Sequence, residues 1–135
     1  MDETKQKARA VLQRQMTRSQ LGNWGEDCAV THLKRQGWEI LARNWRTRGG
    51  ELDIVAFDPH RRALVAVEVK TRRTTTAGTA EEAVTPVKLR RIRALLSGWL
   101  AVEGLHVQAI AVDVIGIQID SQGHYTVNHV PNAQY

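Results

Sequence analysis

GELDIVAFDPHRRALVAVEVK, residues 50–70, holds two apolar runs separated by a polar turn, and each run carries two charged residues two positions apart. Glu51 and Asp53 sit in the first run, Glu68 and Lys70 in the second. Side chains alternate across a strand with period two, so each pair points to a single face. The intervening Asp58-Pro59-His60-Arg61-Arg62 reads as a hairpin connection. With a loop over 58–63, Phe57 faces Leu64, Val55 faces Ala66, Asp53 faces Glu68 and Glu51 faces Lys70. Two carboxylates directly opposite each other on a half-buried sheet repel unless positive charge lies between them. A divalent cation with a lysine beside it meets that need, so metal-dependent nuclease chemistry is the first expectation.

Outward from the hairpin, the pattern predicts a helix over 19–36, with Ser19 as N-cap and Gly37 as its stop. A first strand is expected over 38–46, and the hairpin strands over 51–57 and 63–71. Residues 72–83, RRTTTAGTAEEA, read as a loop. Thr85-Pro86 is a helix start, with Thr as N-cap and Pro at the first helical position. Leu89, Ile92, Leu95, Leu96, Trp99 and Leu100 then recur at helical spacing up to about Gly104. A buried strand over 107–117 and an edge strand over 123–130 complete the order. Residues 1–18 read as a basic helix or tail, and 19–135 as one domain. The expected class is α/β, a hairpin-rich sheet with a helix on each face.

The 135 residues suit one domain of ordinary size. No apolar run approaches the ~20 residues that span a bilayer, so no membrane partner is expected. The charged first 15 residues lack the apolar stretch of a signal peptide, and one cysteine, Cys28, cannot form an intramolecular disulfide. The expected location is therefore cytoplasmic. All 19 Lys and Arg precede residue 94, together with 11 of the 14 acids, so residues 1–93 carry +8 and residues 94–135 carry −3. Basic charge confined to one part of a chain points to a polyanion, hence nucleic acid; the plainer explanation is a set of solvated helix surfaces.

At the hairpin, Asp53 and Glu68 are the leading ligands for a hard cation such as Mg²⁺, with Mn²⁺ as the alternative. The Val69 carbonyl offers a third oxygen. Lys70, on the same face, suits holding an attacking water or neutralising charge on phosphorus. The plain structural alternatives are a Glu51–Lys70 ion pair and an arginine partner for Asp53. Against them, Ala66, Leu64, Val55 and Phe57 share the face, so the charged quartet ends an apolar stripe. Glu26 borders the apolar stripe of the first helix, either as a rim residue or as a further contributor to the metal site.

The runs GNWGEDCAVTHLKRQGWEILARNWRTRGGELDIVAFD, LVAVEVKTRR and AVTPVKLRRI resemble the YraN-type family of uncharacterised bacterial proteins. That family is distantly similar to archaeal Holliday junction resolvases, and both look like members of the restriction-endonuclease-like, PD-(D/E)XK superfamily. The resemblance covers roughly residues 20–115. It implies an αβββαβ core with a mixed central sheet and Mg²⁺-dependent phosphodiester hydrolysis. It also implies catalytic roles for Glu26, Asp53, Glu68 and Lys70, with Glu26, Asp53, Glu68 and Glu51 around the metal. Glu51 belongs to the family's Gly-Glu-hydrophobic-Asp signature, and no Pro-Asp dipeptide is present.

Arg46, Arg48, Thr71, Arg72, Arg73, Lys88 and Arg91 are the candidate nucleic-acid contacts, expected to line one groove with the acids at its base. Trp24, Trp38, Trp45 and Trp99 have the spacing of core residues. The expected function is hydrolysis of DNA, with branched DNA one candidate substrate. A junction resolvase would need two sites and hence a homodimer. The competing reading, from a different class, is a non-catalytic nucleic-acid-binding adaptor that keeps the nuclease fold.

Overall fold

The computed structural model describes residues 16–73 and 79–133. Most of the expected basic tail thus lies outside the described residues. Helix α1 spans Arg18–Arg35 and is capped by Thr17, not Ser19. The Thr17 hydroxyl accepts the Gln20 N–H (3.1 Å), and the Gln20 side-chain oxygen accepts the Thr17 N–H (2.9 Å). This reciprocal box satisfies two N–H groups at once. Ser19 has Gly22 three residues on, which offers no return bond. At the other end Gly37 takes φ +88°, as its expected stop role requires.

Five strands follow: β1 (Glu39–Thr47), β2 (Gly50–Asp58), β3 (Ala63–Arg73), β4 (Ala109–Ile119) and β5 (Tyr125–Val130). They lie in sequence order in one sheet, with β1 and β5 at the edges. Only β3 and β4 are parallel. A parallel pair needs a crossover, and helix α2 (Pro86–Glu103) supplies it. Thr85 caps α2 by accepting the Lys88 N–H (3.2 Å), and Gly104 ends it in the left-handed conformation. Ahead of α2, a short 3-10 turn (Glu81–Ala83) is clipped to β5, where Asn128 donates to the Glu81 carboxylate (2.5 Å).

Strand alternation divides the core between two layers. Ile54, Val65, Val67 and Ile115 pack with Ala29 and Leu33 of α1. Val55, Leu64, Ala66 and Val112 pack with Leu89, Ile92, Leu96 and Trp99 of α2. The expected helix on each face is therefore present. Trp38 and Trp99 are buried in the two cores, as their spacing implied. Among the described residues, no helix is long and apolar enough to cross a membrane.

The β2–β3 ladder has the expected register, Phe57 opposite Leu64 and Val55 opposite Ala66, but it stops at Ile54–Val67. The further pairs Asp53–Glu68 and Glu51–Lys70 do not form as backbone partners. Beyond that point β2 stays with β1 as far as Thr47–Gly50, while β3 stays with β4 as far as Arg73–Ile119. The sheet therefore forks at one end.

The closed end of the hairpin is held by a buried polar network. Asp58 accepts the His60 N–H (2.9 Å) and the Arg61 Nε (2.5 Å). Arg61 also reaches Asp113 on β4, a fully buried carboxylate that accepts from His129 (2.7 Å) and the Asn132 N–H (2.9 Å) as well. Burial pushes the Asp113 pKa up, but the bonds from His129, Arg61 and Asn132 outweigh it and hold the group below the usual carboxylate range. Asp113→Asn should therefore cost about 3 kcal/mol or more in urea unfolding at pH 7, because it breaks a buried ion pair and leaves Arg61 to Asp58. A depressed carboxylate contributes stability that is present above its unfolded pKa and lost as pH falls through the folded value. The wild-type advantage over Asp113→Asn should accordingly shrink below about pH 4, the ordinary aspartate range. An advantage unchanged at pH 3 would contradict this assignment.

Candidate functional site

The fork brings together side chains from both faces of the sheet. Asp53 lies where β2 leaves β3, and its carboxylate accepts the Val69 N–H (2.9 Å) in place of a ladder carbonyl. The Glu68 carboxyl lies near enough for its charge to act on Asp53. Burial first, and then the Glu68 charge, push the Asp53 pKa up to about 8, against the lowering effect of the Val69 N–H. The expected closeness of Asp53 and Glu68 is thus present, reached by side chains across a gap in the ladder.

Glu68 is buried, and Lys88 of α2 closes on it with Nζ 2.7 Å from Oε1. Burial lowers the Lys88 pKa, but the bond and charge of Glu68, with Asp53 and Glu51 behind it, raise it overall. Lys88, expected as a phosphate contact, stands directly against a candidate ligand. Lys70 is exposed and forms no ion pair among the described residues, and Glu51 pairs instead with Arg46 of the neighbouring strand (2.9 Å). The expected Glu51–Lys70 opposition is replaced because β2 remains paired with β1 here, with Arg46 directly opposite Glu51.

Glu26 reaches the fork from α1 and is buried. Arg43 of β1 bridges it (3.1 Å) to Asp27 (2.7 Å). Burial raises the Glu26 pKa, the Arg43 bond and charge lower it, and Asp27 and Glu51 raise it further. Asp53 feels the Glu26 charge, so the three acids share one electrostatic field. Gly25 sets this approach. A Cβ there would lie 1.8 Å from the Thr71 hydroxyl and 2.9 Å from Thr71 Cβ, so α1 meets β3 at a distance only glycine permits.

The donor set is all oxygen and partly buried, which suits a hard divalent cation. Asp53 and Glu68 fit it best, since a cation would relieve the repulsion that helps to raise the Asp53 pKa. Yet among the described residues no three His, Cys, Asp or Glu side chains stand close enough to form a ready ligand group. Glu26, Glu51 and Glu68 are each engaged by a basic side chain.

The basic candidates do not share one groove. Arg91 lies against Gly50 and lines a cavity with Trp45, Gly49 and Leu95 on the α2 side. Thr71, Arg72 and Arg73 line another with Arg18 at the start of α1. Arg46 is held by Glu51, and Arg48 is exposed in the β1–β2 turn. Sequence reasoning missed Gly25 and the clamping role of Arg43. A signal existed for the first: glycine costs ~1 kcal/mol against alanine inside a helix, so Gly25 beside a candidate acid implied a close approach.

A five-stranded mixed sheet between two helices, with acids gathered where β2 and β3 part, is compatible with a restriction-endonuclease-like core. Residues 25–117 match the uncharacterised protein family UPF0102, and the chain belongs to that family. It is 49% identical to a UPF0102 protein of Mycobacterium sp. (strain KMS) across 84% of both chains. It is 50% identical to one from Mycolicibacterium smegmatis across 77% of this chain and 84% of that protein. For a relative from Kineococcus radiotolerans the identity is 47% across 82% of this chain and 89% of that protein.

Two outcomes are expected. An acid with a raised folded pKa contributes most below its unfolded value, and that contribution is lost as pH rises through the folded value. In EDTA, wild-type stability should therefore contain a loss between about pH 4, the ordinary aspartate value, and about pH 8. Asp53→Asn, which mimics the protonated acid, should remove this loss and be the more stable protein in urea at pH 9. Equal pH dependence of the two proteins would show that Asp53 is ionised throughout. Second, Gly25→Ala should destabilise by roughly 1–3 kcal/mol, the cost of overpacking, whereas Gly22→Ala, whose Cβ would meet nothing within 4 Å, should not.

Proposed function

We propose that this protein is a metal-dependent nuclease that hydrolyses phosphodiester bonds in DNA. The observation that carries the reading is half-buried Asp53 beside buried Glu68 at the fork, with Asp53 driven to about 8 by its surroundings. A pair of acids held in mutual repulsion inside a cleft is costly to fold around and is typical of a functional site. Asp53 and Glu68 would hold Mg²⁺ or Mn²⁺, with Glu26 joining once Arg43 releases it and Glu51 at the rim. The cation supplies charge neutralisation at the phosphoryl oxygen and a more acidic water.

The chain's own groups do the rest. Lys70, exposed two residues along β3 from Glu68, would orient a water or meet charge developing on phosphorus. Lys88 fixes the Glu68 carboxylate by its 2.7 Å contact. The +8 charge of residues 1–93 favours approach of a polyanion. A specific observation supports the adaptor reading as well: Glu26, Glu51 and Glu68 already have cationic partners within the chain, as a fold retained without turnover would have.

Cleavage of labelled linear, flap and four-way-junction DNA in Mg²⁺ or Mn²⁺ separates the two. Glu68→Ala and Lys70→Ala should each lower the cutting rate by about 100- to 1,000-fold, the usual loss for one electrostatic group at a reacting centre. Preference for the junction would call for a homodimer, checked by sedimentation. No cutting by wild type on any substrate, with DNA binding intact in all three proteins, would sink the nuclease and leave the adaptor.

A further inference from the structure

A second feature lies on the other side of β3 from α2. Beyond the fork, the last residues of β3 and the first turns of α1 enclose an open cavity of about 500 Å³. Its walls include Arg18 from α1 and Lys70, Thr71, Arg72 and Arg73 from β3, four of them cationic. Gly22 leaves the α1 wall bare, with nothing within 4 Å of where a side chain would begin. Arg73 ties the two walls together by donating to the Met16 carbonyl (3.4 Å), just ahead of α1. None of the acids at the fork lines this cavity.

Strand β3 runs from the fork to the cavity. Glu68 and Arg72 are four residues apart on one strand, which at ~3.3 Å per residue is about 13 Å. One DNA strand rises ~3.4 Å of helix axis per phosphate, and its phosphates lie farther apart than that because the backbone winds, so the distance spans at most about four nucleotides. Lys70 lies midway. Four basic residues from two elements line it, with no lining carboxylate among the described residues; that matches an anion, and the spacing from the acid pair suits a further phosphate of the same strand.

We propose that this α1–β3 groove is a phosphate subsite that grips the DNA backbone a few nucleotides from the Asp53–Glu68 pair, and that Arg18 and the bare surface of Gly22 define it. The proposal deepens the nuclease reading in its substrate, but the grip itself needs neither metal nor turnover. Contacts of this kind fix register and direction without reading bases. The groove lies on the α1 side and Arg91 on the α2 side, so the strand that reaches the acids is distinguished from strands passing elsewhere on the protein.

Anisotropy titration of a labelled DNA duplex in EDTA, across 50–200 mM salt, tests it. Arg18→Ala should weaken binding about eightfold at 0.1 M salt and reduce the slope of log K against log salt by about 0.9, the signature of one lost phosphate contact. Gly22→Leu changes no charge and improves helix propensity by roughly 1 kcal/mol, so it should keep or raise the melting temperature while filling the groove and weakening binding at least as much. Arg93→Ala, on the exposed face of α2, should change the slope less than Arg18→Ala. Wild-type slope and affinity in both Arg18→Ala and Gly22→Leu would overturn the subsite, as would absence of DNA binding by wild type at 50 mM salt. Binding that behaves as expected without cutting in Mg²⁺ would uphold the groove and reject the nuclease alone.

Discussion

One hydrogen bond, from the Val69 N–H to the Asp53 carboxylate, determines the shape of the forked end of this fold. A strand N–H in a sheet interior must find an acceptor, normally the carbonyl of its neighbour. Here a side chain takes that place, so β2 and β3 separate while each keeps its other neighbour. Without the separation, Glu68 would lie under a continuous ladder and α2 would cover it. With it, Lys88 from one face and Glu26 from the other reach the same space.

The separation exposes a charge problem that the chain solves with its own cations. Burying a carboxylate costs several kcal/mol unless it is paired or bonded. Glu26, Glu51 and Glu68 each have a basic partner, from β1, β1 and α2 respectively. Asp53 has none among the described residues, and its pKa carries the strain. The distribution is uneven in an instructive way: the acid with the firmest geometric role is the one left to a proton. A divalent cation at Asp53 and Glu68 would displace that proton and compete with Lys88 for the same oxygens. Metal affinity would then depend on pH and on how readily Lys88 withdraws.

Much of this end was legible in the sequence, and the parts that were not have definite causes. Period-two alternation gave the hairpin and its register, since Val55–Ala66 and Phe57–Leu64 are apolar pairs that only one alignment buries. Capping chemistry placed α2 at Thr85-Pro86. It misplaced the start of α1 because Ser19 and Thr17 are both good caps, and only the reciprocal glutamine bond distinguishes them. The register could not reveal where the ladder ends, because an aspartate side chain that replaces a carbonyl leaves no trace in periodicity. Asp113 escaped notice for a related reason. One acid in an apolar strand looks like an exception until Arg61, 52 residues away, is seen to neutralise it.

Two anchors at opposite ends of the hairpin therefore divide the labour. Asp58, Arg61, Asp113 and His129 form a closed network whose hydrogen-bonding capacity is spent on structure. Asp53, Glu68 and Glu26 form an open one, in which a raised pKa at Asp53 and two basic side chains from neighbouring elements do what a closed network does at the other end. Both rest on the same apolar register between them. A slip of one residue would turn Val55 and Ala66 to the wrong layer and separate both acid clusters from their partners. The hydrophobic pairs thus hold the acids in position, and the Gly25–Thr71 contact brings the third acid close enough to share their field.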